Sequence, residues 1–188
     1  MTGPIIVTGC QRSGTTIATQ MIAHDLNYFV IDEFGFFPNE LGIHKINLLI
    51  NKGIQNIVIQ CPSALLMYVD LFHGIPDVHF IGMVRDTEDI VSSMKRVRWR
   101  MNDFYHWPDY MYDHIEHMNY LWNSLKKIIP DDCWTEVTYD SLMEHPLYVP
   151  KEKRINFTVK QWELDKPCGM PFWDVNLDCL ARKMSTSE

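Results

Sequence analysis

Ile5-Ile6-Val7-Thr8-Gly9-Cys10-Gln11-Arg12-Ser13-Gly14-Thr15-Thr16 is the stretch that decides the fold. Pro4 to Thr8 reads as a strand that is apolar on both faces, as expected at the centre of a parallel sheet. A polar loop carrying Arg12, Ser13 and Gly14 follows, and Thr15 to Leu26 reads as a helix with Ile17, Met21 and Ile22 on one face. Strand, glycine-bearing loop and helix together make an anion site. The loop's backbone N–H groups converge, and the helix N-terminus adds positive potential.

The spacing Gly9-x-x-x-x-Gly14 matches a P-loop, but Thr15 stands where that motif has its lysine. Without the lysine, a grip on the β- and γ-phosphates of a Mg-nucleoside triphosphate loses its main charge. The cation lies earlier, at Arg12, inside the loop. The sequence therefore predicts a phosphate loop of another kind.

Outward from this loop, strands alternate with helices. Tyr28–Ile31, Ile57–Cys61, Val78–Val84 and Cys133–Val137 read as further strands. Leu41–Asn51, a stretch from Ser63 through Phe72, Thr87–Arg96 and Asp109–Ile129 read as helices. Ile155–Val159 is a candidate strand, and the tail after Asn176 a candidate short helix. The alternation predicts one three-layer α/β domain over residues 1–188, with a central, mainly parallel sheet. Ligands in such folds bind outside the C-terminal ends of the strands, which is where the polar residues fall.

Composition sets the outer bounds. With 188 residues, 46% of them hydrophobic and 22% charged, the chain suits a single well-buried globular domain. No apolar run reaches the length of a membrane span, and no signal peptide is evident at the N-terminus. The formal net charge of −7 argues against a broad nucleic-acid or anionic-membrane surface, although Arg85, Lys95, Arg96, Arg98 and Arg100 cluster locally. The five cysteines form no Cys-x-x-Cys pair, which favours a reduced, cytoplasmic setting and leaves a Cys168–Cys179 bridge open.

A second signal is Val84-Arg85-Asp86-Thr87-Glu88-Asp89-Ile90-Val91-Ser92-Ser93. Arg85 follows a strand and Ser93 lies two turns into the next helix, so guanidinium and hydroxyl can hold one phosphate from two sides. The plainer alternative is an Arg85 paired to Asp86 or Asp89 with Ser93 merely buried.

Taken together, Arg12-Ser13-Gly14-Thr15-Thr16 and Arg85…Ser93 resemble the sulfotransferases that use 3′-phosphoadenosine 5′-phosphosulfate (PAPS). The arginine form of the loop is similar to that of tyrosylprotein and several bacterial sulfotransferases. Val137-Thr138-Tyr139-Asp140-Ser141-Leu142…Pro146 resembles a later, weaker family segment. The similarity covers about residues 4–146, and 147–188 matches nothing assignable. It implies a P-loop-like sulfotransferase fold, PAPS as donor and adenosine 3′,5′-bisphosphate (PAP) as product, with no metal required. It implies that Gln11, Arg12, Ser13, Gly14, Thr15 and Thr16 hold the 5′-phosphosulfate, and that Arg85 and Ser93 hold the 3′-phosphate. Sulfuryl transfer runs through a loose transition state, so Arg12 would act as an electrostatic clamp on the leaving phosphate. The lysine that several members carry after strand three is replaced here by Gln60-Cys61-Pro62.

Arginine does not give up its proton, so the acceptor's proton needs another group. Glu33 is the candidate base and Asp32 its understudy; the plainer reading of both is a solvated loop acid. Trp99 and the run Phe104-Tyr105-His106-Trp107 either line an acceptor pocket, form its lid, or are ordinary loop packing. His114 and His117, spaced i, i+3, read as a surface pair rather than as metal ligands. Cys10 reads as a small buried side chain rather than a reactive thiol.

These readings converge on a sulfotransferase moving a sulfuryl group from PAPS to a hydroxyl or amine. Its acceptor would be a small molecule, carbohydrate or peptide, with neither nucleic acid nor membrane as partner. Two rivals stand beside it: a PAPS/PAP-binding protein without catalysis, and a P-loop nucleotide kinase, against which the missing loop lysine counts.

Overall fold

Every residue of β1 (Ile5–Gly9) is buried, and its neighbours explain why. It lies between β3 (Ile57–Gln60) and β4 (His79–Val84), parallel to both, with Val7 opposite Gln60 on one side and Ile81 on the other. Ile5 and Val7 face one apolar layer while Ile6 faces the other. Full burial of each of these side chains is worth about 1.5–3 kcal/mol, so the strand anchors both cores. β2 (Phe29–Ile31) pairs with β3, and β5 (Trp134–Thr138) pairs with β4, giving an all-parallel five-stranded sheet in the order β2-β3-β1-β4-β5.

The structure is a computed structural model that describes residues 3–33, 36, 38–96 and 108–148. On one face of the sheet, α1 (Thr15–Leu26) packs Ile17, Ala18 and Met21 beside Tyr139 and Leu142 of α6 (Tyr139–Met143). The other face is covered by α2 (Glu40–Asn51), α3 (Tyr68–Gly74), α4 (Thr87–Arg96) and α5 (Pro108–Leu125). The described residues form a three-layer α/β fold with an all-parallel central sheet, the fold class that the alternation predicts. Because all strands run the same way, the residues after β1, β2, β3, β4 and β5 emerge on one edge of the sheet.

α1 and α4 have the bounds expected from the sequence. The stretch after β3 differs: Pro62–Leu66 forms a 3-10 turn, and α3 starts only at Tyr68. Pro62 opens the segment and Met67, away from helical geometry, separates the two pieces. α5 ends at Leu125 rather than Ile129, because the chain tightens there into i→i+3 bonds from Lys127 and Ile128. Ile129 is still buried. The segment with Trp99 and Phe104–Trp107, Arg98 and Arg100, Ile155–Val159, the tail after Asn176, and Cys168 and Cys179 lie outside the described residues. Among the described residues, Cys10, Cys61 and Cys133 are free thiols, and no helix is long and apolar enough to cross a membrane.

Candidate anion-binding site

The loop between β1 and α1 is shaped by its backbone. Ser13 N–H donates to the Cys10 carbonyl at 3.0 Å, closing a tight turn. Arg12 sits in the left-handed region (φ 73°), a conformation a non-glycine residue adopts at some cost. Gly14, the N-cap of α1, has φ 108°, and a Cβ there would lie 2.7 Å from Cδ2 of Tyr139. Only glycine satisfies both constraints. Among the described residues no side chain caps the N-terminus of α1, and no acid lies in its first turn, so its amide donors and dipole face the loop. Ser13 is fully buried, and its Oγ has no hydrogen-bond partner among the described residues. Thr15 is buried, whereas Thr16 is exposed and its Oγ1 accepts from Nε2 of Gln60 at 2.8 Å.

The tip of β4 closes against this loop. Nη1 of Arg85 donates to the Arg12 carbonyl at 3.0 Å. Nε of Arg12 donates to Oγ of Ser93 at 3.3 Å, and Nη2 of Arg96 donates to the same oxygen at 3.3 Å. Residues far apart in sequence thus bring three guanidinium groups around one buried hydroxyl and one loop carbonyl. The crowding has an electrostatic signature. Burial first, then the charges of Arg96 and Arg85, hold Arg12 below its ordinary pKa, while Glu33 acts in the opposite sense. A cluster of this kind favours an anion between its members.

Both alternatives for Arg85 leave a mark. Nη2 of Arg85 lies 3.6 Å from Asp89, but that carboxylate is 61% exposed while Arg85 is 5% exposed, so water screens the pairing. Asp86 is not its partner, since its Oδ1 accepts from the backbone N–H groups of Glu88 and Asp89 at the start of α4. The Arg85 guanidinium lies 4.0 Å from the centroid of the Tyr139 ring, and its Nε is buried with no hydrogen-bond partner among the described residues. Two orphaned polar atoms, Ser13 Oγ and Arg85 Nε, therefore belong to this site. Both can donate to the oxyanions of a phosphate or phosphosulfate, so the residues present fit such a group.

Glu33 follows β2 and is exposed, yet close enough to feel the loop. Its pKa is raised by partial desolvation and then by Asp32, with Arg12 pulling it down. Glu33 also adds to the upward shift of Cys61, a thiol that burial carries to about 11. Burial pushes Cys10 to about 12, so the thiol inside the loop stays neutral and is a packing residue, as expected. Oε1 of Gln11 accepts from Nε2 of His114 at 2.6 Å, and the His114 ring stacks against Tyr110. His114 is thus tied to the loop, and among the described residues no group of three or more His, Cys, Asp or Glu is placed to hold a metal.

The site assembles Arg12, Ser13, Gly14, Thr15, Thr16, Arg85 and Ser93 on adjoining strand tips. Sequence reasoning did not assign three further residues. Arg96 carried a signal, its place in a basic stretch, but nothing in the spacing showed that it shares Ser93 with Arg12. Tyr139 was legible only as part of a weak later segment, and Gln60 only as the replacement for a lysine.

The class of protein this geometry defines is a P-loop-like α/β fold with a lysine-free, arginine-bearing loop. Among solved structures, the chain is similar to the sulfotransferase domain from the curacin biosynthetic pathway, with TM-score 0.57 and 15% identity over 78% of this chain and 70% of that one. It also matches shikimate kinase from Acinetobacter baumannii (TM-score 0.47, 12% identity, 65% of this chain and 79% of that one). A sugar kinase from Janibacter sp. HTCC2649 matches with TM-score 0.47 and 17% identity over 77% of this chain and 91% of that one. At 15% identity the likeness to the sulfotransferase domain is one of fold. No protein-family model matches the chain, and no curated protein matches it in sequence.

Proposed function

We propose that the protein is a sulfotransferase that transfers a sulfuryl group from PAPS to a hydroxyl or amine acceptor. The observation that carries this reading is the direct contact between the two motifs: Arg12 donates to Ser93, and Arg85 donates to the carbonyl of Arg12. Two anion grips this close suit the two phosphate-bearing ends of one ribose. A kinase is disfavoured on two counts. Thr15 replaces the lysine that grips a triphosphate, and the hydroxyl of Thr16 faces the amide of Gln60 rather than a carboxylate that would help hold Mg²⁺.

PAPS supplies an activated sulfuryl group whose leaving group is a phosphate. Gln11, Ser13, Gly14, Thr15, Thr16 and the amides of the α1 N-terminus hold that phosphate end, while Arg85, Ser93 and Arg96 hold the 3′-phosphate. Arg12 stabilises the negative charge that grows on the leaving oxygen, fixed in place before the reaction rather than reorganised during it. The new acceptor–sulfur bond forms as the bond from sulfur to the phosphate oxygen breaks. The acceptor's proton passes to Glu33, whose basicity is raised by partial desolvation and by Asp32. No metal is needed in this scheme.

A thermal-shift comparison of PAP with ATP, each with and without Mg²⁺, tests the donor reading. Stabilisation by PAP in EDTA that exceeds stabilisation by Mg-ATP is the expected result; the reverse order overturns it. Transfer of radiolabelled sulfate from PAPS across a panel of phenols, sugars and peptides then separates an enzyme from a binder without catalysis.

A further inference from the structure

Gln60 closes β3, in register with Val7 of β1, and is 4% exposed. Its Nε2 donates to Thr16 Oγ1 at 2.8 Å, so a side chain from one strand tip holds a hydroxyl in the first turn of α1. A hydroxyl has one proton to give and accepts through its lone pairs. With an amide N–H already on the oxygen, the Thr16 hydroxyl keeps its own proton to donate to a group other than Gln60. Thr16 is itself exposed, so it is accessible to a ligand from solvent.

A divalent cation needs the opposite arrangement. It takes an oxygen lone pair aimed at the metal, usually with a carboxylate nearby to share the charge. The NH₂ end of Gln60 instead places a partial positive charge behind the same oxygen.

We infer that Gln60 is a positioning residue. It sets Thr16 as a hydrogen-bond donor to a nucleotide oxyanion and makes the site select a metal-free phosphate or phosphosulfate over a Mg-nucleoside triphosphate. This rests on the donor reading above. It also gives a role to the residue that stands in place of the strand-three lysine. Gln60 adds no cation, but it fixes the direction of the hydroxyl beside the lysine-free position Thr15.

The test is isothermal calorimetry of PAP binding, in EDTA and in Mg²⁺, for the wild type, Gln60→Glu, Gln60→Ala, Thr16→Val and the Gln60→Ala/Thr16→Val pair. Glutamate keeps the size but accepts the Thr16 proton and turns it inward. Wild-type affinity is expected to be the same in both media. Gln60→Glu should lose about tenfold or more in EDTA and recover part of that with Mg²⁺. Gln60→Ala should lose about threefold to tenfold alone and nearly nothing when Thr16 is already valine. Melting curves identify any variant that fails to fold, and the alanine series then carries the test. Unchanged metal-free affinity in Gln60→Glu, or additive losses in the pair, overturns the inference and leaves the donor reading standing. A wild-type protein that binds Mg-ATP but not PAP overturns both, and that outcome is visible before any variant is made.

Discussion

Nη1 of Arg85 donates to the backbone carbonyl of Arg12 at 3.0 Å, so the guanidinium at the tip of β4 braces the loop that carries the other. The contact explains how Arg12 is held at φ 73°: the carbonyl of a residue in an unfavoured conformation is pinned from outside the loop. Arg85 thus serves the site twice, as a charge and as a strut.

The double role separates two substitutions. Arg85→Ala should cost about 2–3 kcal/mol of stability, because a nearly buried, charge-assisted bond to the loop is lost, and should weaken PAP binding more than stability alone accounts for. Arg85→Lys retains the charge but not the fork, and should recover stability only in part. Urea unfolding and PAP titration on the same samples check this. Equal stability in all three proteins would mean that the contact with Arg12 carries no weight.

Arg12→Gly should do the reverse and raise stability while removing function. Glycine adopts φ 73° without penalty, and the substitution removes a cation whose pKa is depressed by burial and by Arg96 and Arg85. A depressed pKa on a cation means that the fold disfavours its charge, so removing the charge relieves the fold. Loss of the bond to Ser93 offsets part of the gain. The net expectation is about 1 kcal/mol of added stability, a rise in Tm of about 2–4 °C, with PAP affinity down at least about tenfold. A Tm that falls by several degrees would show that Arg12 is held for the fold's sake and not for a ligand.

The sheet and its site were legible in the sequence to different depths. β1, α1 and α4 could be read because local signals agree with the tertiary outcome: a strand buried on both faces, a glycine loop, an acidic first turn. The 3-10 turn at Pro62–Leu66 could not, since Leu65, Leu66, Val69 and Phe72 are spaced as in one helix. In the structure Leu65 is buried and Leu66 is 60% exposed. Spacing also placed Arg85 and Ser93 at the strand end where they meet the loop of Arg12. It carried no information on Arg96, Tyr139 and Gln60, whose roles come from side chains that meet across the loops.

Gly14→Ala is expected to be among the most damaging single substitutions in the loop. Alanine must adopt φ 108°, and its Cβ would lie 2.7 Å from the Tyr139 ring, which itself stacks on Arg85. A cost of about 2–4 kcal/mol follows from backbone strain and overlap together. Tyr139→Ala alone should also destabilise, since the ring is 5% exposed. The double variant should cost less than the sum, because removing the ring removes the overlap. A double-mutant cycle in chemical denaturation reads this coupling directly; strict additivity would place the whole cost of Gly14→Ala in its backbone.

Glu33 supplies the prediction with the clearest sign. Desolvation and then Asp32 raise its pKa, and Arg12 lowers it. As a base it works deprotonated, so the transfer rate should fall as pH drops through a pKa raised above the ordinary glutamate value, and Glu33→Gln should remove that acid limb with about 10²–10⁴ of kcat. Asp32→Asn takes away a raising influence and should move the limb to lower pH. Arg12→Gln takes away a lowering one and should move the Glu33 titration, followed by carbon NMR of its carboxyl in the absence of turnover, to higher pH. PAP binding should stay close to wild type in Glu33→Gln, because no donor contact is assigned to this side chain. If Asp32→Asn leaves the acid limb where it was, the limb belongs to another group. The base would then have to be sought elsewhere along the same sheet edge.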